Sequence, residues 1–300
     1  MPELAEVELA RRIWEPGIGE RIIAIDTHPR TRIFRDTPAA EIEPALSDKT
    51  LAASRTHGKR LLFSFTTAVR RSRKPGSANL KPDPGMSLHL ELHLGMSGRL
   101  VLAPPGHPAA RHDHFVLRTG KLSLVYSDYR QFGRVYLHQS VEDPWADLPP
   151  QVLDRRFTRA HLERLTTRRA GTAIKALLLD QSAFPGVGNW MADEICWRLP
   201  CHPATPAGDL EAGLLRRVSR QVCRGALRHV ADRNAPRAGA EGFSPGRYVE
   251  QVPPASWLFQ HRWKPGGTCP RCRSYLDRST IASRSTAWCP ACQRSGRPEA

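Results

Sequence analysis

The spacing of apolar residues changes period twice along the chain. Leu4, Val7, Ala10 and Trp14 recur every three to four residues, which predicts an opening helix with one buried face. The stretches "RIIAIDTH", "KRLLFSFTT", "LHLELHLGMSGRLVL", "HFVLRTGKLSLVYSD" and "GRVYLHQ" then alternate or run β-rich between turn residues, and they predict strands. From about 152 to 235 a helical period returns in "TRAHLERLT", "GTAIKALLLDQS", "NWMADEICWRL" and "LEAGLLRRVSRQVCRGALRHVADR". Residues 70–85, "RRSRKPGSANLKPDPG", are polar and rich in proline and glycine, which predicts a mobile surface loop. The expected organisation is α+β and multidomain: a β-rich domain over 1–142, a proline-marked linker over 143–151, a helical domain over 152–240, and a loop with a terminal module over 241–300.

Composition narrows the class. Three hundred residues with 40% hydrophobic content support two domains with real cores, plus a small module. No run of 18 apolar residues appears, so a membrane span is not expected. The charged first 25 residues lack the apolar core of a signal peptide, so a cytoplasmic protein is expected. Lys+Arg exceed Asp+Glu by 45 to 29, a net charge of +16. An arginine-rich composition explains part of that excess. Its concentration in "RRVSRQVCRGALRHVADRNAPR" (216–237) and in the last 40 residues favours a polyanionic partner, with nucleic acid first.

The cysteines carry the sharpest signal. "CPRC" and "CPAC" place Cys269, Cys272, Cys289 and Cys292 in two C-x₂-C knuckles with 16 residues between them. Four thiolates close a tetrahedral zinc site and leave no position for water, so one structural Zn²⁺ is expected. The intervening "YLDRSTIASRSTAW" reads as a hairpin carrying Arg278 and Arg284 to its tip. Cys196, Cys201 and Cys223 are expected to be buried thiols.

Other stretches are less specific alone. In "DQSAFPGVGNWMADEICWRL" a helix ends near Gln181, glycines allow close backbone approach, and Asn189 is expected to cap the next helix. "GMSGRL" and "DYRQFGR" put Met96 and Phe132 on turns, where they suit insertion into a base stack or packing under a hairpin. His89 and His93 flank Glu91, but the alternating leucines make that segment a strand and a metal site improbable. "HDH" at 112–114 is expected to anchor a turn by hydrogen bonds. Pro2 suits the first turn of a helix. Once Met1 is removed it is also a free secondary amine, able to act as a nucleophile near neutral pH.

Taken in order, "PELAEVE", "HGKRLLF", "HLGMSG", "HDH", "DYRQFG", "IKALLLDQSAFPGVGNWMADE" and "CPRC…SRSTAWCPACQ" resemble the formamidopyrimidine-DNA glycosylase/endonuclease VIII family of DNA repair enzymes over nearly the whole chain. The resemblance implies an N-terminal helix on a two-layer β-sandwich, a helix–two-turn–helix domain and a C-terminal four-cysteine zinc-finger hairpin. It implies a bifunctional glycosylase/AP lyase that flips a damaged base from the stack. Pro2 would be the nucleophile, forming an iminium at C1′ that permits β- and δ-elimination. Glu3 would be the general acid/base, supported by Glu6, and Lys59, also catalytic, would contact the phosphate near the lesion and aid elimination. Lys175, Asn189 and Arg284 would contact DNA, and Met96, Arg130 and Phe132 would fill the gap left by the flipped nucleotide. Damaged double-stranded DNA is the implied partner, bound by a monomer with no membrane and no small-molecule cofactor.

Three departures stand out. Ala5 and Tyr129 occupy positions where the family commonly has proline. The glycine/serine-rich loop ending in Arg-Asp-Tyr that covers a flipped purine has no counterpart, "APRAGAEGFSPGRYVEQ" standing in its place. Oxidised purines (8-oxoguanine, formamidopyrimidine) are the expected lesions. Oxidised pyrimidines are the alternative, and a catalytically silent zinc-containing DNA-binding protein is a third reading. Against that third reading stands the pairing of an N-terminal secondary amine with a carboxylate.

Overall fold

The structure is a computed structural model that describes residues 2–67, 87–140, 142–232, 252–263 and 265–293. The expected loops at 70–85 and 236–250, and the end of the basic stretch 216–237, lie outside the described residues. The chain divides into two compact units, one over Glu6–Leu148 with Pro2, the other over Glu3–Ala5, 149–232 and 252–293 among the described residues.

The first unit holds most of α1 (Leu4–Ile13), α2 (Ala39–Leu46) and eight antiparallel strands: β1 (Ile22–Thr27), β2 (Thr50–His57), β3 (Arg60–Thr66), β4 (Ser87–His93), β5 (Arg99–Ala103), β6 (Asp113–Thr119), β7 (Ser123–Ser127) and β8 (Arg134–Ser140). They form two four-stranded sheets, ordered β1-β6-β7-β5 and β2-β3-β4-β8. Ile25, Phe115 and Tyr126 of one sheet share a core with Leu61, Phe63 and Leu90 of the other, and Val7, Ala10 and Trp14 close it. Trp14 is fully buried against Phe63 at 4.9 Å and donates its indole N–H to Val101 O at 3.2 Å.

Two elements escaped the pattern. In α2 only Ile42 and Leu46 are buried, one turn apart, around an internal Pro44, too little for a period. β2, "TLAASRTH", is poor in β-formers and is held by its pairing with β3 across a two-residue turn, Gly58-Lys59. The first half of the 143–151 stretch is pinned to its own unit: buried Trp145 donates to Glu91 Oε2 at 2.8 Å, and Asp143 pairs with Arg55.

The second unit contains α3 (Arg159–Arg168), α4 (Ile174–Leu179), α5 (Asn189–Arg198), α6 (Ala212–Ala226) and the hairpin β9 (Asp277–Ile281) and β10 (Arg284–Trp288). Thr158 caps α3 by accepting from His161 N at 3.1 Å. Glu211 caps α6 by accepting from Gly213 N at 2.7 Å and Leu214 N at 2.5 Å. α6 buries Leu215, Val218, Val222 and Ala226 and runs into a π-helical turn over Leu227–Asp232. α4 stops at Leu179, two residues before the expected Gln181, because Asp180 turns the chain by binding Ser182 N at 2.9 Å. No helix among the described residues is long and apolar enough to cross a membrane.

Candidate functional site

The start of α5 is built around Glu3. Its Oε2 accepts from Gly188 N at 3.0 Å and Met191 N at 3.2 Å, and its Oε1 from Trp190 N at 3.0 Å. A helix opens with N–H groups that lack an internal partner, and a carboxylate there satisfies them and complements the dipole. Leu4 N donates to Gly186 O at 2.9 Å, so two successive residues are tied to the turn before α5. A Cβ on Gly188 would lie 2.3 Å from Glu3 Cδ, which is why glycine stands there. This corrects the expectation for Asn189. Asn189 is the first residue of α5, not its cap, and its Nδ2 donates to Ser285 O of β10 at 2.9 Å. Pro2, half-buried, directly precedes the anchored pair in the chain. Glu6, half-buried on α1, falls in the other unit.

In the first unit Lys59 sits at the tip of the β2–β3 hairpin, beside Gly58 at φ +58°, a conformation that glycine adopts without strain. Burial, followed by Lys59, Arg134 and Arg60, pushes His93 below the usual histidine range. Its Nδ1 is an acceptor, taking Gly95 N at 3.0 Å, and so fixes the start of the Gly95-Met96-Ser97 turn. Met96 and Phe132 are 47% and 46% exposed, unusual for side chains of that size, and each stands next to a buried glycine, Gly95 and Gly133.

Buried Asp128 holds those turns. It accepts from Ser97 Oγ at 2.5 Å, Arg130 N at 3.2 Å and Gly133 N at 2.8 Å. Gly95, at φ +60°, lies so close to Phe132 that a Cβ would be 2.5 Å from its carbonyl carbon. Gln131, at φ +54°, accepts from Arg32 N at 2.8 Å. The Arg130 guanidinium lies 4.8 Å from the Phe132 ring centre. Tyr129, in place of the family's proline, is exposed against His112. The result is a pair of exposed apolar wedges with an arginine beside them on a rigid base. "HDH" anchors as expected: Asp113 accepts from Ala110 N at 2.9 Å, and His114 Nε2 meets Asp128 O at 2.9 Å.

Two expected positions, Lys175 on α4 and Arg278 on β9, behave differently from expectation. Lys175 is 0% exposed, and its ammonium bonds Asp193 at 2.6 Å, Thr286 Oγ1 at 2.8 Å and Ser285 O at 2.9 Å. It is a buried post, not a phosphate contact: three donors meet three protein acceptors. Burial pushes it below the usual lysine range while Asp193 pulls it back. Asp193 also takes Arg262 at 2.6 Å and Ala287 N at 3.2 Å, joining α5 to β10. Arg278, expected at the tip, pairs in register with Ala287 and donates to Arg262 O. Arg284 does lie at the tip, exposed, directly after the positive-φ pair Ala282 and Ser283.

Cys269, Cys272, Cys289 and Cys292 place their four Sγ atoms within 4.8 Å of one another. Zn–S bonds of about 2.3 Å in a tetrahedron require S···S edges of about 3.8 Å. Cys269–Cys292 at 4.0 Å and Cys272–Cys289 at 3.4 Å bracket that figure, so the thiols fit a zinc ion. Trp197 donates its indole N–H to Cys269 Sγ at 3.3 Å, a contact that orients a ligand from outside the coordination shell.

Asp128, Asp193 and the capping role of Glu3 were not foreseen from sequence. Only Asp128 had a local signal, an aspartate opening a turn in "DYRQFG".

Matches to family models span the chain: the formamidopyrimidine-DNA glycosylase N-terminal domain over residues 1–135, the formamidopyrimidine-DNA glycosylase H2TH domain over 148–233, and a zinc finger found in FPG and IleRS over 266–294. A formamidopyrimidine-DNA glycosylase of Acidothermus cellulolyticus is 34% identical, with 98% of this chain and 97% of that protein aligned. One from Methylococcus capsulatus is 32% identical, with 98% and 100% aligned. The wild-type Lactococcus lactis Fpg (MutM), solved in complex with DNA containing N7-benzyl-Fapy-dG, matches with a TM-score of 0.78 at 25% identity over 98% of this chain and 100% of that one. The same protein bound to DNA containing an oxidised pyrimidine matches with a TM-score of 0.77 at 25% identity, over 98% and 100%. The chain belongs to the formamidopyrimidine-DNA glycosylase family.

Proposed function

We propose that this protein is a DNA glycosylase/AP lyase that excises oxidised purines from duplex DNA and cuts the strand at the resulting site. Met96, Arg130 and Phe132 enter the gap left by the extruded nucleotide, because a base is inaccessible to chemistry inside the stack. The Pro2 amine, freed by removal of Met1, attacks C1′. An N–C bond forms, the glycosidic C–N bond breaks, and the base leaves with a proton. Glu3 moves the proton that opens the sugar ring, which leaves an iminium. Loss of a C2′ proton then expels the 3′ phosphate, and a second elimination expels the 5′ phosphate. Lys59 holds phosphate at the reacting nucleotide, and Asn189 and Arg284 hold the backbone further along. Zinc supplies no chemistry here; with four thiolates it only fixes the hairpin that presents Arg284.

The observation that carries this reading is the fixation of Glu3 by three backbone N–H groups directly after Pro2. The same contacts that cap α5 hold the carboxylate in one position next in sequence to the Pro2 amine, as a proton-transfer group requires. A panel of duplexes bearing 8-oxoguanine, formamidopyrimidine, thymine glycol or an abasic site tests it. Excision of the two purines ahead of thymine glycol is expected. A preference for thymine glycol would select the oxidised-pyrimidine reading, which the L. lactis complex with an oxidised pyrimidine favours. Binding without cleavage of any duplex would select the silent binder.

A further inference from the structure

Six arginines on the second unit have no role in the reading above. Arg216, Arg217, Arg220, Arg224 and Arg228 follow one side of α6 into its π-helical end, and Arg198 closes the far end of α5 against them. They line a concavity of about 640 Å³, and among the described residues that line it none is acidic. Among the described residues neither the four on α6 nor Arg228 in the π-helical turn makes an ion pair. Arg216 and Arg220 are instead held by backbone carbonyls, Arg216 by Phe157 O at 2.7 Å, and Arg220 by Val152 O at 2.8 Å and Asp154 O at 3.1 Å. Arg217, Arg224 and Arg228 are exposed. Four residues of α-helix rise about 6 Å, so the 216-220-224 row spaces like charges at that interval. Burial, and after it the neighbouring Arg216 and Arg224, push Arg220 below the usual arginine range, against the pull of Asp154.

We propose that this arginine ladder is a second nucleic-acid site, which holds the phosphate backbone of a DNA segment other than the one under repair. Three features select that occupant. Guanidinium forks match phosphate oxygens in pairs, and a regular row suits a regularly charged strand. Among the described lining residues the rings are Trp257, buried beneath Arg198 at 4.3 Å, and His229, packed on it at 5.7 Å, so these residues offer no exposed apolar anchor of the kind a protein partner needs. The ladder is also remote from the backbone contact at Asn189, since α5 places Asn189 and Arg198 at opposite ends of ten residues, about 13 Å apart along its axis. A protein holding two segments can pass from one to the other without full release. The proposal rests on the family's DNA binding and on no particular lesion or reaction step.

The test uses the full-length, zinc-loaded protein with its primary site filled by a short abasic-analogue duplex, to which a labelled undamaged 12-base-pair duplex is added. A ternary complex is expected. Replacing Arg217, Arg224 and Arg228 with Gln should weaken the second association at least tenfold. It should flatten the salt dependence of that step by about three units of slope, while first-duplex affinity stays within twofold. If the triple variant fails to fold, judged by zinc content and melting, Arg224→Gln and Arg228→Gln singly should each weaken the second step a few-fold. A strictly one-to-one complex would overturn the proposal. So would a parallel loss of first-duplex affinity, which would make the ladder part of the primary footprint. Displacement of the second duplex by poly-glutamate of matched charge as readily as by DNA would overturn it too, pointing to an acidic protein instead.

Discussion

Gly188→Ala separates the chemistry of Glu3 from its identity. The Gly188 backbone has φ −125°, which any residue adopts, so the substitution carries no conformational penalty of its own. Its effect comes entirely from a Cβ placed 2.3 Å from Glu3 Cδ and 2.5 Å from Glu3 Oε1. Contact at those distances is not tolerated, and the buried carboxylate must leave at least part of its three-fold N–H cradle. Hydrogen bonds to a charged group each contribute about 1.5–3 kcal/mol, and loss of a helix cap costs about 1–2 kcal/mol. Some rearranged contact will remain, so a net destabilisation of about 2 kcal/mol is expected, lowering the melting of this unit by several degrees. A displaced general acid typically costs 10²- to 10⁴-fold in rate. Single-turnover excision of a base lesion should therefore fall about a hundredfold, with a much smaller effect on a preformed abasic site. Glu3→Gln should give the same selective loss, and adding Gly188→Ala to it should change little further, because both act through one carboxylate. Full excision activity in a folded Gly188→Ala protein would refute the reasoning.

Phe132→Ala should leave melting nearly unchanged, because the ring is half exposed, yet slow excision of base lesions far more than cleavage at abasic sites; a large fall in melting with equal losses on both substrates would mean that the ring is core. Lys175→Met should cost about 3 kcal/mol by stripping Asp193 of one buried partner, while the slope of log K against log salt stays unchanged. A slope shallower by about one would restore a phosphate contact to Lys175. Burial and the cations around it hold His93 below its ordinary 6.5, so between that value and its folded one the unfolded chain binds more protons. Stability of the first unit should therefore be full above pH 6.5 and decline as pH falls below it, less so in His93→Gln. Melting that is flat over this window in the wild type would contradict the assignment.

The strands other than β2, the five helices other than α2 and the zinc knuckles were legible because each repeats a physical period or a ligand spacing. α2 and β2 were not, since two buried residues around a proline, or an alanine- and serine-rich strand, carry too little pattern to read. Within each unit, Met96 and Phe132 in the first and Arg284 and the cysteines in the second could be found locally as odd residues on turns or in knuckles. What holds them is non-local. Asp128 gathers atoms from two turns, Asp193 joins α5 to a hairpin nearly a hundred residues on, and Glu3 reaches N–H groups 185 to 188 positions away. Asn189 was misread for the same reason. A local rule gives the cap to the nearest polar side chain, whereas the fold brings a carboxylate from the chain's start. Lys175 shows the converse, where a motif position suggested a DNA contact and burial decided for a structural one.

The central claim is that the Pro2 nitrogen is the nucleophile. Borohydride added during reaction on a lesion duplex should reduce the iminium and leave the DNA strand covalently attached, and mass spectrometry of the digested adduct should place it on the peptide that begins with Pro2. An added N-terminal tag should abolish trapping while binding persists. Attachment at Lys59 or any other lysine, with Pro2 unmodified, would contradict the account and leave Pro2 as no more than the start of a helix.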